Sequence, residues 1–265
     1  MDDRRRVALI TGGGTGIGAA IARRLAAEGT AVAIVGRRSE PLEAVVTEIA
    51  KAGGRAIALP ADLEGRDAPA AVVARTTDAF GGLDVLVNNA AVIKNLPLEE
   101  MPVATFDQHL AVNIGAPFLL LRAALPWLKR SPAAAVVNIS SSSASLAIPG
   151  QAAYGLTKAA LEYLTRSYAA ELAPFGIRVN CIAPGPIDTP IHLAWAKDMA
   201  TAYEALRGAT PLGLIGDPDD IARWVAHLAD PRERFVTGAV FAIDGGQTLN
   251  GWASAIAGAA GDAGG

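Results

Sequence analysis

Short apolar runs alternate along the chain with longer segments in which apolar residues recur at helical spacing. The runs are rich in valine, isoleucine, leucine and alanine, which is typical of parallel strands buried on both faces of a sheet. They predict seven strands, at 7–10, 31–35, 56–59, 85–87, 135–139, 178–182 and 240–243. The intervening patterns predict a helix ending at Glu28 and helices over 39–52, 67–80, 102–113, 114–130, 151–172 and 217–229. Ser39 and Asp217 are the expected N-caps of two of these helices.

The alternation of strands with helices predicts the fold class. Repeated β-α units joined by right-handed crossovers bury both faces of a parallel sheet. We therefore expect a Rossmann-type α/β fold, a single doubly wound parallel sheet of about seven strands with helices on both faces. One domain is expected over residues 1–252, because no linker interrupts the pattern. The alanine- and glycine-rich tail at 253–265 is expected to be poorly ordered.

Composition limits the classes of partner that the protein can bind and the cellular compartment in which it is expected. The chain has 265 residues and a net charge of −3, so it carries neither the basic footprint of a nucleic-acid-binding protein nor a polybasic membrane patch. Its single cysteine, Cys181, excludes a disulfide within the chain and favours a cytoplasmic location. The three histidines lack metal-ligand spacing, so no metal site is predicted. No signal peptide is predicted, because residues 1–6 are charged and the apolar run after them is too short. No membrane span is predicted, because the apolar run at 118–128 contains Arg122 and suits a buried or interface helix better.

A glycine-rich segment follows the first predicted strand. Residues 12–18 read Gly-Gly-Gly-Thr-Gly-Ile-Gly, with the spacing Gly-x-x-x-Gly-x-Gly. Glycine permits a tight turn and a close approach of the backbone to a phosphate, and the N-terminus of the following helix offers free N–H groups. Because the segment joins a strand to a helix, a phosphate-binding loop is favoured over a glycine-rich turn without a ligand.

Further polar residues follow other predicted strands, at the edge where doubly wound sheets bind their ligands. The segments concerned are Gly36–Arg38, Asp62, Asn88–Ala90, Ser141 and Pro184–Gly185. Each has a structural alternative, since a loop acid such as Asp62 is commonly solvated and loop asparagines commonly bond backbone. Their coincidence at one edge of the sheet favours a binding site.

Tyr154 and Lys158 are four residues apart in the predicted helix 151–172 and therefore share one face of it. A free tyrosine has a pKa near ~10. A neighbouring ammonium should lower that pKa and prepare the phenol for proton transfer. The hydroxyl of Ser141, at a strand end, would hold a substrate oxygen beside the phenol. The pair alone is weak evidence, because tyrosine and lysine meet at this spacing on many helices.

These pieces occur together in the order and at the spacings of a known family. The chain resembles the short-chain dehydrogenases/reductases over nearly its whole length, from about Arg6 to Gly246. The matching motifs are Thr11-Gly12-x-x-x-Gly16-x-Gly18, Asp62, Asn88-Asn89-Ala90, Asn113, Ser141, Tyr154-x-x-x-Lys158, Pro184-Gly185 with Thr189, and Asp244-Gly245-Gly246. One departure is Ala91, where the family often has glycine, and no loss of activity is expected from it.

The resemblance implies a catalytic set. Tyr154 would be the general acid in carbonyl reduction or the base in alcohol oxidation. Lys158 would lower its pKa and bind the nicotinamide ribose, and Ser141 would orient the substrate oxygen. Asn113 would hold a water that links Lys158 to solvent. The choice of Ser141 among the serines at 140–143 rests on the family spacing, because the others suit turn hydroxyls equally well.

The resemblance also implies a nicotinamide cofactor. Asp62 would meet its adenine amino group, and Thr189 would hold its carboxamide. The residues implied to bind it are Gly12, Thr15, Gly16, Ile17, Gly18, Arg37, Arg38, Asp62, Leu63, Asn89, Ala90, Tyr154, Lys158, Pro184, Gly185, Ile187 and Thr189.

The residues after the second strand predict which cofactor is used. An NAD site usually places a carboxylate there, which binds the ribose 2′-hydroxyl and repels a 2′-phosphate. This chain has Gly36, which leaves room for the phosphate, followed by Arg37 and Arg38, whose guanidinium groups bind phosphate well. NADP(H) is therefore predicted, with Arg37 as the main contact, and NAD(H) is less favoured. The alternative is that both arginines are simply solvated.

The expected function is hydride transfer between NADP(H) and a small secondary alcohol or ketone. The alternatives are an epimerase or dehydratase on the same scaffold, or a non-catalytic cofactor-binding regulator. A substrate lid is expected over 190–213, and it contains His192, Leu193, Trp195, Met199, Tyr203 and Leu206. Lys94, Ile148 and Gln151 are expected at the border of the pocket.

The family resemblance implies a homo-oligomer, a tetramer or a dimer. It would form through the helices predicted at 102–130 and 151–172. The apolar candidates for that interface are Leu120, Leu161, Leu164 and Tyr168, although some of them must face the sheet.

Overall fold

The computed structural model describes residues 5–190 and 198–249 of the chain. Its strands are β1 (Val7–Thr11), β2 (Ala31–Gly36), β3 (Ala56–Pro60), β4 (Val85–Asn88), β5 (Ala135–Ile139), β6 (Arg178–Pro184) and β7 (Val240–Ile243). Its helices are α1 (Gly16–Ala27), α2 (Ser39–Lys51), α3 (Ala68–Phe80), α4 (Val103–Leu110), α5 (Ala116–Leu128), α6 (Ala152–Leu172), α7 (Met199–Arg207) and α8 (Pro218–Ala229).

The strands form one parallel sheet in the order β3-β2-β1-β4-β5-β6-β7. Near its centre, Leu9 of β1 pairs with Ala33 of β2 on one side and with Leu86 of β4 on the other. The strand order reverses between β1 and β4, and such a reversal opens a crevice at the carboxyl ends of the strands. The predicted Rossmann-type doubly wound sheet is confirmed.

Helices cover both faces of the sheet, because successive residues of a strand point to opposite sides. On one side, Ile10 of β1 shares a buried cluster with Ile21 of α1 and Val225 of α8. On the other side, Leu9 shares a second buried cluster with residues that include Leu120 of α5 and Leu172 of α6. Burial on both sides explains why the strands are nearly continuous apolar runs.

The predicted break between the helices 102–113 and 114–130 is wrong. α4 continues through a π-helical segment, Ala111–Gly115, into α5, so one helix runs from Val103 to Leu128. A π segment widens one turn without ending the helix, and such segments are frequent at functional sites. This one contains Asn113.

The two predicted N-caps have different outcomes. Ser39 is the first residue of α2, and Arg38 occupies the cap position without a side-chain cap bond, so that prediction is wrong. The Asp217 cap is confirmed, because its carboxylate accepts a hydrogen bond from the N–H of Asp219 at 2.7 Å. The Asp220 carboxylate accepts one from the N–H of Asp217 at 2.8 Å, which completes a capping box.

The helix Val103–Leu128 is long and apolar enough to cross a bilayer by length and composition. Its apolar residues Leu120, Ala124 and Leu128 are nevertheless buried in the second cluster beneath the sheet. The same test is passed by core helices of proteins that do not span membranes, so this segment is explained as a core helix of the fold.

Burial also corrects the residues predicted for an oligomer interface. Leu120 and Leu161 are 1% and 2% exposed and belong to the core of their own chain. Leu164 and Tyr168 are partly buried, and Val103, Phe118, Leu156 and Tyr163, on the same two helices, are exposed.

Two predicted regions fall partly or wholly outside the described residues. These are the tail at 253–265 and the lid residues His192, Leu193 and Trp195. The described part of the predicted lid includes α7, a helix that the apolar pattern did not predict.

Candidate active site

A cavity of about 750 Å³ opens at the carboxyl ends of the strands. Its volume is in the range of small-molecule sites. It is lined by most of the residues predicted to bind or react, namely Gly12, Thr15, Gly16, Ile17, Arg37, Arg38, Asp62, Leu63, Asn89, Ala90, Ser141, Tyr154, Lys158, Pro184, Gly185, Ile187 and Thr189. Gly18 and Asn113 do not line it, and neither does Lys94, whereas Ile148, Gln151 and Leu206 do.

The glycine loop is shaped by close backbone contacts. Gly12 has a φ of +68°, and a Cβ on it would lie 2.7 Å from the Nδ2 of Asn89. A Cβ on Gly18 would lie 2.1 Å from the carbonyl oxygen of Gly12, so Gly18 lets α1 pack directly on the loop. α1 begins at Gly16, which directs the free N–H groups and the positive end of its dipole at the cavity.

Thr11 organises the wall opposite this loop, a role that the sequence did not reveal. Its Oγ1 accepts hydrogen bonds from the backbone N–H groups of Asn89 and Ala90, both at 2.9 Å. The Asn89 Nδ2 in turn donates to the carbonyl of Thr11 at 2.9 Å. The end of β4 is thereby tied to the end of β1, and the two segments form one continuous wall.

Tyr154 and Lys158 both lie in α6 and are almost fully buried, with 7% and 2% of their surface exposed. The Lys158 Nζ donates to the carbonyl of Ile139 at 2.8 Å and lies 5.5 Å from the centroid of the Tyr154 ring. Ser141 lies near enough to the Tyr154 hydroxyl to lower the pKa of that phenol. The structure therefore brings Ser141, from the loop after β5, to the Tyr154 and Lys158 pair of α6.

The electrostatics of the pair correct one prediction. Burial raises the pKa of Tyr154 to about 12, and the nearby Ser141 offsets only part of that rise. Burial also lowers the pKa of Lys158 to about 8, against a smaller raising effect of Cys181. Desolvation disfavours both charged forms. The expected depression of the tyrosine pKa by its lysine neighbour is therefore wrong for the protein without its ligands.

The hydroxyl of Ser141 is the start of a hydrogen-bond chain. It donates to the Oγ of Ser143 at 3.2 Å, and the Ser143 hydroxyl donates to the Oε1 of Gln151 at 2.8 Å. Ser140 points elsewhere and donates to the carboxylate of Glu162 at 2.9 Å. The chain holds Ser141 beside Tyr154, and it adds Ser143 and Gln151 to the site.

Asn113 is buried behind the cavity wall and connects two elements. Its Oδ1 accepts from the N–H of Val92 at 2.8 Å, and its Nδ2 donates to the carbonyl of Val92 and to the Oγ1 of Thr157, both at 3.0 Å. Both side-chain N–H groups are thus engaged. A water held by Asn113 would need its backbone carbonyl or the second lone pair of Oδ1.

The far end of the cavity is lined by the residues after β2 and β3. Arg37 and Arg38 are exposed, and a Cβ on Gly36 would meet only Leu42, at an ordinary contact distance of 3.5 Å. Asp62 is also exposed, and its Oδ1 accepts from the N–H of Glu64 at 3.1 Å. This end can therefore accept a large, negatively charged group.

The segment after β6 closes the cavity on the opposite side. Thr189 is buried, and its Oγ1 donates to the carbonyl of Ile187 at 3.3 Å. A Cβ on Gly16 would lie 2.9 Å from the methyl carbon of Thr189, so this segment packs against the glycine loop.

Several known proteins are similar to this chain in sequence, and several solved structures are similar to it in fold. A family model described as enoyl-(acyl carrier protein) reductase matches residues 12–248. The 2,5-dichloro-2,5-cyclohexadiene-1,4-diol dehydrogenase LinX of Sphingobium indicum is 38% identical over 244 residues, which cover 92% of this chain and 96% of the relative.

Two solved structures are similar to this chain over more than nine-tenths of its length. A dehydrogenase/reductase from Sinorhizobium meliloti 1021 is 44% identical with a TM-score of 0.86, over 92% of this chain and 95% of that one. A short-chain dehydrogenase from Burkholderia cenocepacia J2315, in complex with NADP, is 38% identical with a TM-score of 0.85, over 92% of this chain and 98% of that one.

Proposed function

The chain belongs to the short-chain dehydrogenase/reductase family of oxidoreductases, and from this premise we propose that it transfers a hydride between NADP(H) and a secondary alcohol or ketone. The observation that carries the proposal is the convergence of Ser141, Tyr154 and the buried Lys158 on one cavity. The same cavity is lined by Gly12, Gly14 and Gly16 of the glycine loop. These residues have no side chain that would keep a ligand away from the backbone.

The residues of the cavity fit a nicotinamide dinucleotide. The loop 12–17 and the N-terminus of α1 would hold the pyrophosphate, since a Cβ at Gly12 would lie 2.7 Å from the Nδ2 of Asn89 and distort this loop. Asp62 and Leu63 would meet the adenine, while Asn89 and Ala90 would line the cofactor's path along the sheet edge. Lys158 would bind the ribose, and Ile187 with Thr189 would hold the carboxamide. The cofactor supplies or accepts the hydride, which no amino-acid side chain can do.

The protein's own part is to place an oxygen and to move a proton. Ser141 would turn its hydroxyl away from the Oγ of Ser143, to which it donates in this structure, and donate a hydrogen bond to the substrate carbonyl oxygen. Tyr154, whose pKa of about 12 keeps it protonated at neutral pH, would donate its proton to that oxygen as negative charge develops. In the opposite direction its phenolate would accept the proton of the alcohol.

A preference for NADP(H) is supported by the residues at the end of β2. No carboxylate stands at Gly36 to exclude a 2′-phosphate, and the exposed guanidinium groups of Arg37 and Arg38 line that end of the cavity. The similar structure from Burkholderia cenocepacia, solved with NADP, also supports it.

Substrate class is supported by the cavity and by one relative. The substrate end combines apolar residues such as Ile148 and Leu206 with the polar Gln151, which suits a medium-sized, partly hydrophobic molecule. The relative from Sphingobium indicum is named as the dehydrogenase of a cyclic diol, so an alcohol on a ring is a reasonable first substrate to assay.

The same scaffold supports two alternative functions, an epimerase or dehydratase and a regulator that binds cofactor. Against an epimerase or dehydratase, the intact set of Ser141, Tyr154 and Lys158 is what oxidoreduction needs, and the similar protein from Sphingobium indicum is named as a dehydrogenase. A regulator that binds cofactor without turnover would be expected to lack the tyrosine or the lysine, and both are present. We also propose a cytoplasmic homo-oligomer built on the exposed residues Phe118, Leu156 and Tyr163.

The proposal is tested by NADPH oxidation with a panel of ketones, using wild-type protein and Tyr154→Phe. The substitution removes only the hydroxyl, so NADPH binding should persist while turnover falls roughly 10²- to 10⁴-fold. Near-normal kcat in Tyr154→Phe would contradict the assignment. Tight NADPH binding by wild-type protein with no turnover of any ketone would favour the regulator.

A further inference from the structure

His109 is a buried histidine that does not line the cavity and has no part in the proton transfer proposed above. It lies in α4, and only 1% of its surface is exposed. Its Nδ1 lies 2.7 Å from the carbonyl oxygen of Thr105, and its Nε2 lies 3.2 Å from the backbone nitrogen of Lys94. Both ring nitrogens are therefore engaged by backbone groups.

These two partners determine where the proton of the imidazole lies. A carbonyl oxygen only accepts a hydrogen bond, so Nδ1 carries the proton and donates it to Thr105. A backbone N–H only donates, so Nε2 is unprotonated and accepts from Lys94. His109 is therefore a neutral imidazole whose Nε2 holds a backbone N–H of a segment outside the helices and strands.

His109 and Asn113 hold the same segment of the chain. They are four residues apart on the helix Val103–Leu128, so their side chains leave it on the same side. Asn113 accepts from the N–H of Val92 at 2.8 Å, and His109 accepts from the N–H of Lys94, two residues further along. The helix thus supplies side-chain acceptors to alternate residues of an irregular segment.

The segment 92–96 reaches the substrate end of the cavity. The N–H of Leu96 donates to the carbonyl oxygen of Gly150 at 2.9 Å. Gly150 lies between Ile148 and Gln151, which line the substrate end. The segment therefore connects the helix that carries His109 to the part of the chain that borders the substrate.

Between these attachments the segment forms part of the cavity wall. Val92 and Ile93 line the cavity, and Ile93 directly precedes the residue that His109 holds. In the described part of the chain, the N–H of Lys94 is the one backbone group of residues 93–95 that has a hydrogen-bond partner. The bond to His109 therefore fixes the middle of the wall, and small displacements of such a wall are costly for a reaction that depends on alignment.

We propose that His109 is a positioning residue for the hydride transfer. By accepting the Lys94 N–H at its Nε2, it fixes Ile93 and with it the wall against which the substrate is aligned. This inference rests on the proposed function, because it takes the ligand at this wall to be the reacting ketone or alcohol.

Two substitutions distinguish the roles of the two ring nitrogens. Asparagine places its amide at the δ position, where it can donate to Thr105 but does not reach Lys94. Glutamine places its amide oxygen at the ε position, where it can accept from Lys94. His109→Asn should therefore lower kcat/KM for a ketone roughly fivefold, the value of one neutral hydrogen bond, and mainly by raising KM. His109→Gln should keep kcat/KM near the wild-type value.

The alternative is that His109 only supports the packing of its own helix. In that case His109→Asn, which keeps the bond to Thr105, should retain at least as much activity as His109→Gln. That result, or equal losses in the two variants, would overturn the inference.

Amide hydrogen exchange measures the bond itself without any turnover. The Lys94 amide should exchange slowly in wild-type protein and in His109→Gln, and roughly fivefold faster in His109→Asn, for the same loss of one hydrogen bond. Equal exchange of Lys94 in the three proteins would show that His109 does not hold this N–H and would overturn the inference.

Two controls separate this inference from the proposed function. The Kd for NADPH should be the same in wild-type protein, His109→Asn and His109→Gln; a loss of affinity that matches the loss of kcat/KM would place the wall against the cofactor and overturn the inference. Wild-type protein without turnover of any ketone would overturn the proposed function and this inference together. Normal turnover that His109→Asn leaves unchanged would overturn this inference alone.

Discussion

Charge at the end of β2 should decide between NADPH and NADH, and two substitutions test this directly. Arg37→Ala removes the proposed ligand of the 2′-phosphate. Gly36→Asp supplies the carboxylate that an NAD site places at this position. Gly36→Asn is the matched control, because asparagine has nearly the shape of aspartate and no charge.

The expected magnitudes follow from exposure and space. A hydrogen bond to a charged group contributes about 1.5–3 kcal/mol. Because Arg37 is exposed, we expect the lower end of that range, or about a tenfold loss of kcat/KM for NADPH. A Cβ on Gly36 meets Leu42 at 3.5 Å, so Gly36→Asp should leave the fold intact. Like charges about 4 Å apart repel by about 1 kcal/mol in water and about 4 kcal/mol near a protein surface, which is a loss of at least about fivefold.

The assay is steady-state kinetics with both cofactors on one ketone. Wild-type protein should favour NADPH, Arg37→Ala should lose activity with NADPH much more than with NADH, and Gly36→Asp should reduce the preference further than Gly36→Asn. A higher kcat/KM for NADH in wild-type protein would refute the reasoning. Equal effects of aspartate and asparagine would show that shape, not charge, matters at Gly36.

Three further predictions concern packing, protonation and assembly. Gly18→Ala should destabilise the fold by roughly 1–3 kcal/mol, because its Cβ would lie 2.1 Å from the carbonyl oxygen of Gly12. Gly36→Ala, the control, should leave Tm nearly unchanged, and equal Tm values for the two variants would contradict this prediction. The pKa of Tyr154 is raised to about 12, so ligand-free wild-type protein and Tyr154→Phe should show the same tyrosinate absorbance up to about pH 10. A step near neutral pH that only the wild-type protein shows would refute the raised pKa of Tyr154. Tyr163→Glu should dissociate the oligomer in light scattering, and a wild-type monomer at micromolar concentration would reject the interface.

The sheet was predictable because its strands are buried on both faces. A run such as 31–35 contains no polar residue, so its pattern indicates a buried strand clearly. Parallel strands joined by helical crossovers also allow few topologies. The continuity of the helix 103–128 was not predictable, because the π segment is held by contacts distant in sequence. The Asn113 side chain forms hydrogen bonds with Val92 and Thr157, and no local sequence pattern predicts either partner. Pro117, which lacks an N–H, follows the segment and resembles a helix start when only the sequence is read.

The candidate site was predictable only where a residue type has a restricted use. Glycines at a strand-helix junction and a Tyr-x-x-x-Lys pair are recognisable from spacing. The hydrogen bonds of Thr11, and the chain from Ser141 through Ser143 to Gln151, are not, because hydroxyl groups at these spacings occur in any turn. Their directions depend on how α6 packs on the loop after β5. There a Cβ on Gly155 would lie 2.7 Å from the carbonyl of Ser143.

The protonation of Tyr154 shows why spacing alone gave the wrong sign for its pKa. Spacing reveals the charge of Lys158 but not the loss of water around both groups, and desolvation is the largest effect on both pKa values. The pKa of about 12 leaves Tyr154 a neutral phenol at physiological pH, which is the form that donates a proton. Lys158, with a pKa of about 8, remains mostly an ammonium at pH 7 and would stabilise the phenolate left after that donation. If Tyr154 is the proton donor that we propose, the site without its ligands is in the protonation state that carbonyl reduction needs. Alcohol oxidation would require a further positive charge near the phenol to generate the base.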